Sequence, residues 1–383
     1  MSYILHISTA VPEHRVEKES LLRFYAKAFA VTETDPFLKK VSFLLRKTKI
    51  DARYSCVSDY NGDQSELFTD GNYGQSLEKR MALYRDKIVP LSCKAIDALF
   101  HSTTVIPADV THLIAVSCTG MFAPGLEFMI AGHYDLQHTE KSALNFLGCY
   151  AALKAMKQAH YIAQSNPDAC ILVVCAELCS LHFHPSREDE DLIANLLFAD
   201  GASALFICGE KNKHARGKTV LKINGIASAF IPGTADLMTW QLSSSAFRMH
   251  LSPRVVDAVR AHIQKAAGDF IGEAMADTDY WAIHPGGLKI IEAVRESLGL
   301  SMDDTTDSMQ VLKEYGNMSS PTILFVLRRI FDRIQMKDSV PDRKIFACAF
   351  GPGLNIEMIR LSSAYITPVN ETKHIAPHHA VQV

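Results

Sequence analysis

The second half of this 383-residue sequence repeats the order of elements found in the first half. A buried strand pattern that ends in a Gly-rich turn and a helix occurs at residues 112–125 and again at residues 280–287. A Gly-containing turn that leads into an apolar helix occurs at residues 148–162 and at residues 316–331. Two late strand patterns follow in each half. Four matches in the same order predict an internal duplication, which limits the fold to two similar halves.

Strands that alternate with helices predict α/β layers with buried, mixed sheets. The polar and basic segment at residues 211–218 is the best boundary, so we place the halves at residues 1–218 and 219–363. Neither a Pro-rich nor a Ser-rich linker separates the halves, and we expect them to share one core. The sequence after residue 363 is aperiodic, and we expect residues 364–383 to form a flexible tail.

Composition and charge exclude several functional classes. The net charge is −3 without a basic block, so we expect neither nucleic acid nor a membrane surface as a partner. The longest apolar stretch, near residues 169–179, is too short to span a bilayer, and the first residues do not resemble a signal peptide. The nine cysteines, several inside apolar strand patterns, predict reduced thiols in the cytoplasm. They lack paired zinc-ligand spacing, so no metal is expected.

Residues 145–153 predict a reactive cysteine. Short apolar residues lead into Gly148 and Cys149, and an alanine-rich helix pattern follows. The start of a helix has unpaired N–H groups and the positive end of the dipole, which favour a thiolate and lower the cysteine pKa. Gly148 allows a sharp turn beside the sulfur. The alternative is a small, buried, structural cysteine.

Two further polar residues at element ends extend this hypothesis. Duplicated halves bring equivalent turns to a common centre, so we expect Cys149, His284 and Asn317 to lie near one another. An imidazole could hold the thiolate as an ion pair, and an amide donates hydrogen bonds without titrating. Together they suit acyl capture followed by decarboxylation of a malonyl-type thioester. A structural histidine and a helix-capping asparagine are the alternatives, and cysteine hydrolases share the same three residue types.

Four motifs resemble those of the type III polyketide synthases, the chalcone synthase-like enzymes. They are residues 148–152, 283–287, 314–320 and 350–354, and the similarity extends over residues 1–363. The resemblance implies a thiolase fold, in which duplicated halves form a five-layered αβαβα sandwich. It also implies a homodimer.

The resemblance implies a role for each member of the predicted centre. Cys149 would carry the acyl chain, while His284 and Asn317 would drive the decarboxylation of malonyl-CoA and stabilise the enolate. The substrates would be an acyl-CoA starter and malonyl-CoA, and no cofactor would be needed. We expect a fatty acyl-CoA starter and an alkylpyrone or alkylresorcinol product.

The resemblance also implies residues around the substrate cavity. Phe198 and Phe247 match phenylalanines that stand between the CoA tunnel and the cavity. Cys118 and His182 replace threonines of the plant enzymes, and Ala349 replaces the first glycine of a Gly-Phe-Gly-Pro-Gly pattern. These departures look bacterial and argue against a plant-style flavonoid starter. The residues expected to line or shape the cavity are Ser319, Cys118, His182, Gly351, Pro352 and Gly353.

Basic residues are expected at the mouth of the CoA tunnel. Lys40 and Lys47 match positions that contact CoA phosphates, whereas Phe43 stands where the plant enzymes have arginine. Lys289 could supply a further charge at the same mouth. Residues 121–124 match a loop that reaches into the cavity of the neighbouring subunit.

Two other functions remain open at this point. A priming β-ketoacyl carrier-protein synthase also uses Cys, His and Asn, but it condenses once, and its histidine usually lies in a His-Gln-Ala-Asn motif. Its carrier protein would dock on a basic patch such as residues 39–47 or 211–218. The second alternative is an inactive homologue that binds other polyketide enzymes, against which the intact Cys149, His284 and Asn317 argue.

Overall fold

The computed structural model describes residues 1–62, 65–336 and 342–368. Within these ranges the chain forms thirteen strands and ten α-helices. The strands are β1 (Ser2–Ala10), β2 (His14–Glu17), β3 (Ala52–Ser55), β4 (His112–Ser117), β5 (Glu140–Asn145), β6 (Cys170–Leu178), β7 (Asp200–Gly209), β8 (Lys218–Phe230), β9 (Met238–Leu242), β10 (Phe247–Leu251), β11 (Tyr280–Ile283), β12 (Lys344–Gly351) and β13 (Asn355–Ile366). The helices are α1 (Lys18–Ala28), α2 (Pro36–Thr48), α3 (Leu77–His101), α4 (Leu126–His133), α5 (Ala151–Ser165), α6 (Asp189–Leu197), α7 (Arg254–Ile271), α8 (Leu288–Leu298), α9 (Thr306–Tyr315) and α10 (Thr322–Gln335).

Nine strands form one sheet in the order β11-β12-β13-β8-β1-β7-β6-β4-β5. The halves of the chain meet where β1 pairs with β8, at Tyr3–Lys222 and Ile4–Leu221. In the first half β4 and β6 are parallel, whereas the β6–β7 and β7–β1 pairs are antiparallel. In the second half β11 and β12 are parallel, whereas the β12–β13 and β13–β8 pairs are antiparallel. The shared order and directions confirm the predicted duplication.

Helices and strands alternate in five layers. The outer face of the first half packs on α3, whose Ile88 and Ile96 share a hydrophobic cluster with Leu172 of β6. The inner face joins a second cluster that contains α5, α10 and Ala347 of β12. The opposite face of β12, including Phe346, packs with α7 and α8 in a third cluster. This arrangement is the αβαβα sandwich expected from the sequence.

The middle layer explains the composition of its helices. Ala151, Ala152 and Ala155 of α5 are completely buried, and small side chains allow this helix to approach both sheet layers closely. In α10 five consecutive apolar residues from Ile323 to Leu327 are buried, because this first part of the helix is covered on all sides. The turn at residues 146–149 leads directly into this layer, because α5 begins at Ala151.

The sequence predicts a boundary between the halves after residue 218 and a tail that begins at residue 364. The strand β8 begins at Lys218, next to the predicted boundary. The strand β13 includes residues 364–366, which the sequence assigns to the tail, and residues 369–383 lie outside the described residues. Within the described ranges, no helix is long and apolar enough to cross a membrane, and no group of three His, Cys, Asp or Glu side chains could hold a metal ion.

Candidate active site

Cys149 lies in a strained turn between β5 and α5, which we call the cysteine turn (residues 146–149). Phe146 and Gly148 have positive φ angles of 59° and 81°. A Cβ atom on Gly148 would overlap the ring of Pro352, so both the backbone conformation and the available space require glycine. The Cys149 side chain is buried, with 6% of the residue exposed. Strained backbone of this kind is concentrated at functional sites.

The Cys149 thiol is protonated at neutral pH in this structure. Burial raises its pKa to about 11, although hydrogen bonds with Ser319 and Asn317 act in the opposite direction. The sequence predicts a lowered pKa from the start of α5, and the structure differs because the loss of water around a buried thiolate outweighs these local contacts. The sulfur lies 3.9 Å from both Oδ1 and Nδ2 of Asn317.

The side chain of Asn317 is held in one orientation. Its Oδ1 accepts hydrogen bonds from the Ser319 N–H at 2.8 Å and from the Thr322 hydroxyl at 3.4 Å. Its backbone carbonyl accepts a hydrogen bond from the Ala199 N–H at 2.8 Å. Because Oδ1 is occupied at the start of α10, the Nδ2 group remains as the donor toward Cys149.

His284 follows β11 and is almost completely buried. Neither of its ring nitrogens has a hydrogen-bond partner within the described part of the chain. Burial lowers the pKa of the ring to about 3, so the imidazole is neutral. The ion pair that the sequence predicts between His284 and Cys149 is therefore not formed in this structure. A buried imidazole without partners indicates a group that meets a ligand.

Gly286 connects His284 with Asn317. The Gly286 N–H donates to the His284 carbonyl at 2.9 Å, and its own carbonyl accepts from Asn317 Nδ2 at 3.4 Å. A Cβ atom on Gly286 would lie 3.8 Å from His284 Nε2. The structure thus brings the three predicted residues together, with Cys149 from the first half and the other two from the second half.

A small aromatic cavity, which we call the gate cavity, has a volume of about 50 Å³ and is lined by both predicted phenylalanines, Phe198 and Phe247. The Phe247 ring stacks on His182 with centroids 4.6 Å apart, and Trp240 meets Phe247 edge-on at 5.9 Å. His182 Nε2 donates to the Thr119 carbonyl at 2.7 Å, and Nδ1 accepts from the Phe247 N–H at 3.1 Å. These two bonds fix the tautomer of His182, whose pKa burial lowers to about 3.

Cys118 lies directly behind the cysteine turn. Its sulfur accepts a hydrogen bond from the Gly148 N–H at 3.1 Å, and its carbonyl accepts one from Trp240 Nε1 at 2.7 Å. Its N–H donates to Glu177 Oε2 at 2.8 Å. Cys118 therefore supports the turn and also connects it to a wall of the gate cavity.

Glu177 and Trp240 also contact the site, although the sequence did not predict a role for either residue. Glu177 is completely buried on β6 and accepts hydrogen bonds from the hydroxyls of Ser320 at 2.6 Å and Thr119 at 2.8 Å. Burial raises the pKa of its carboxyl group. An isolated acid inside an apolar strand is a signal that could have identified Glu177, because buried carboxylates need partners. Trp240 has no comparable local signal, since its contacts are long-range.

The predicted loop of Gly351, Pro352 and Gly353 packs against the cysteine turn. It connects β12 to β13, and Pro352 occupies the space that a side chain on Gly148 would need. A Cβ atom on Gly351 would overlap the ring of Tyr150. The loop therefore fixes the entrance to α5 from the opposite half of the chain.

Two other predicted cavity positions differ in their surroundings. Ser319 is buried beside Cys149 and has a positive φ of 58°, which places strain at this side of the site as well. Ala349 is completely buried in the hydrophobic cluster of the middle layer. Its methyl group therefore belongs to the core of the protein.

The three lysines predicted at the CoA phosphates lie on two helices. Lys40 on α2 forms an ion pair with Asp189 of α6 and lines a surface groove of about 720 Å³. Lys47, also on α2, lies with its Nζ 5.4 Å from the ring centroid of Phe43. Lys289 is exposed near the start of α8. Among the described lining residues the groove includes Lys40, but neither Lys47 nor Lys289.

Two family descriptions match the chain. "Chalcone and stilbene synthases, N-terminal domain" matches residues 1–211, and "Chalcone and stilbene synthases, C-terminal domain" matches residues 222–365. Together the matches include all three residues of the candidate site.

The chain is similar to proteins of plants, bacteria and an amoeba. Type III polyketide synthase A of Arabidopsis thaliana is 25% identical over 94% of this chain and 92% of that protein. A putative chalcone synthase of Bacillus subtilis (strain 168) is 27% identical over 94% of this chain and 99% of that protein. Polyketide synthase 37 of Dictyostelium discoideum is 29% identical over 91% of this chain, which spans 12% of that longer protein.

Solved structures have the same fold. The crystal structure of PKS-I from the brown alga Ectocarpus siliculosus superposes with a TM-score of 0.86 and 28% identity, covering 95% of this chain and 98% of that one. A type III pentaketide synthase from Neurospora crassa superposes with a TM-score of 0.83 and 25% identity, covering 95% and 100% of the two chains. These superpositions confirm the thiolase fold.

Proposed function

The chain belongs to the chalcone and stilbene synthase family of type III polyketide synthases, and from this premise we propose its reaction. An acyl-CoA starter is loaded onto Cys149, extended by decarboxylative condensation with malonyl-CoA, and cyclised. The observation that carries this proposal is the buried His284 ring, which has no partner within the described residues and lies beside Gly286, whose carbonyl accepts a hydrogen bond from Asn317.

Loading begins with the attack of Cys149 on the thioester carbonyl. A bond forms between the carbonyl carbon and Sγ, and the bond from that carbon to the CoA sulfur breaks. His284 accepts the thiol proton during the attack and returns it to the departing CoA sulfur. Both groups are neutral before the reaction, so a ring nitrogen of His284 is free to accept the proton, and Asn317 Nδ2 is placed to stabilise the oxyanion.

Extension begins with the decarboxylation of malonyl-CoA. The carboxylate leaves as carbon dioxide, and its bonding electrons remain on an enolate thioester. The N–H groups of His284 and Asn317 stabilise the enolate oxygen. Because burial lowers the pKa of His284 to about 3, the ring is neutral and donates its one N–H in a hydrogen bond without protonating the enolate. The enolate therefore keeps its electron pair for attack on the acyl group of Cys149.

The gate cavity supports an apolar starter. Its walls include the rings of Phe198, Phe247 and Trp240, and its volume of about 50 Å³ is smaller than a growing polyketide requires. We propose that the stack of Phe247 on His182 opens to admit a fatty acyl chain. The product is then an alkylpyrone or an alkylresorcinol.

The edge of the sheet supports a homodimer. β5 is the last strand of the nine-stranded sheet, with β4 on one side. Near this edge Met121, Phe128 and Met129 are 48%, 55% and 37% exposed. Exposed apolar side chains beside an open strand edge fit a second copy of the chain. Light scattering after size-exclusion chromatography tests this, and a monomeric mass would refute the dimer.

The state of the cysteines supports a reducing compartment, and we propose the cytoplasm. All nine cysteines are buried free thiols. Proteins that are exported to oxidising compartments more often carry disulfides.

A panel of acyl-CoA starters with isotopically labelled malonyl-CoA tests the proposed reaction. We expect products that contain two or more malonyl-derived units, with the highest rates for long-chain starters. A single β-ketoacyl product would instead support a priming synthase. The absence of any condensation product would favour the inactive homologue.

A further inference from the structure

The surface groove between α2, α6 and β10 has basic and acidic walls. Its basic side chains come from α2, from β10 and from Arg187 before α6, and the acidic ones come from Glu188 and the first turn of α6. Three of the basic side chains form ion pairs with acidic ones across the groove. The pairs are Lys40 with Asp189, Arg248 with Asp191 at 3.5 Å, and His250 with Glu190 at 2.8 Å.

These pairs are exposed and therefore weak. The side chains of Lys40 and Asp189 are 43% and 64% exposed, and that of Arg248 is 48% exposed, whereas its partner Asp191 is 17% exposed. Ion pairs between exposed side chains contribute little to stability, because water and salt screen them. The basic groups can therefore exchange their carboxylate partners for another anion at small cost.

The groove continues into the gate cavity. Asp191, Arg248 and Met249 line both spaces. Met249 is two residues from Phe247 on β10, and Phe247 forms the wall of the gate cavity. A ligand with a charged head in the groove can thus extend a narrow arm past Arg248 toward the phenylalanines.

This inference rests on the proposed use of CoA thioesters. We propose that the first turn of α6 acts as an exchangeable counter-ion, which the phosphate groups of CoA displace when they bind in the groove. Phosphate oxygens replace Asp191 at Arg248 and Asp189 at Lys40, because Arg binds phosphate in a bidentate manner and Lys as a point charge. The released Asp189 carboxylate turns to solvent, to which its side chain is already 64% exposed. Asp189 and Asp191 therefore weaken CoA binding, and Arg248 strengthens it.

The Asp189→Asn variant tests the competition. Titration calorimetry of the full chain with CoA should give a dissociation constant about twofold to fivefold lower than that of the wild type, because Lys40 no longer has an internal anion. The gain should shrink at high salt. Asp269→Asn is the matched control, since Asp269 forms a similarly exposed ion pair with Lys265 on α7 and does not line the groove. It should leave the dissociation constant unchanged.

A second variant and a second probe make the test decisive. Arg248→Gln should weaken CoA binding about tenfold, because a charge-assisted contact to phosphate is lost. Neither variant should change inhibition by pantetheine, which has no phosphates. Equal CoA affinity of Asp189→Asn and Asp269→Asn, or of Arg248→Gln and wild type, would overturn this inference while the polyketide reaction stands. A wild-type protein that neither binds CoA nor becomes acylated would overturn both proposals.

Discussion

At Cys149 and His284, burial favours the neutral form of both side chains. The thiol has a raised pKa of about 11, and the imidazole has a lowered pKa of about 3. The sequence indicates which residues meet, because each lies within two residues of a glycine at the end of an element. It does not indicate their protonation, since that depends on surrounding atoms from distant segments.

Alkylation of the resting enzyme tests this protonation state. With a thiol pKa of about 11, the rate of Cys149 modification by iodoacetamide should rise about tenfold per pH unit from pH 7 to pH 9.5. Peptide mapping distinguishes Cys149 from the other thiols, and a Cys149→Ala variant gives the background. A rate that is already constant below pH 8 would show a thiolate paired with protonated His284.

Asn317 supplies an amide N–H donor beside Cys149. The Asn317→Ala variant should lower the rate of malonyl-CoA decarboxylation by about 10²–10³, the loss typical of one oxyanion donor. Release of labelled carbon dioxide measures this rate. Asn224→Ala removes a remote amide that bonds Ser362 at 2.8 Å, and it should leave the rate unchanged. Equal rates in both variants would refute the role of Asn317.

Among the elements, the cysteine turn and the loop of residues 351–353 act as a pair. Gly148 has a φ of 81°, and the ring of Pro352 fills the space beside it. The sequence predicts the turn from the local pattern of apolar residues and Gly148. It does not predict that Pro352, from the other half of the chain, limits that turn to glycine.

Gly148→Ala should therefore destabilise the fold and prevent acylation. We expect a loss of about 1–3 kcal/mol, from backbone strain and overlap with Pro352. Urea unfolding measures the loss, and acyl-enzyme mass measures activity. Gly132→Ala on α4 is the control, because nothing lies within 4 Å of the added methyl group. It should stabilise the helix by up to ~1 kcal/mol. Equal stability of the two variants would contradict this account.

At the scale of the whole molecule, buried histidines link stability to pH. His284 has a folded pKa of about 3, below the usual 6.5, so the unfolded chain takes up a proton that the folded chain does not. Its contribution to stability is complete above pH 6.5 and is lost as the pH falls from 6.5 toward 3. Asp200, whose pKa burial raises to about 6, acts in the opposite direction.

Comparing wild type with His284→Gln isolates this effect. Between pH 6.5 and pH 5 the free energy of unfolding of the wild type should fall more steeply, by about 1.4 kcal/mol per pH unit. Asp200 is present in both proteins, so its contribution cancels. Urea unfolding at a fixed protein concentration measures both curves. Parallel curves would show that His284 takes up a proton in the folded protein as readily as in the unfolded chain.

The two halves of the molecule were predictable because their buried strands, such as β4, β6, β11 and β12, carry apolar signals, and the order of these signals repeats. The contacts between residues distant in sequence were not predictable. Lys40 and Asp189 are distant in sequence, and their pairing depends on how α2 and α6 pack. The stack of Phe247 on His182 likewise depends on the β9–β10 hairpin. Such contacts follow from three-dimensional packing, which local patterns do not encode.

The most direct test of the central claim is the mass of the chain carried on Cys149. After brief incubation with a long-chain acyl-CoA and malonyl-CoA, the protein is quenched, digested and analysed by mass spectrometry. We predict that the Cys149 peptide carries the starter acyl group and species extended by one or more malonyl-derived units, with none on Cys149→Ala. A Cys149 peptide that stays unmodified while condensation products form would contradict the account.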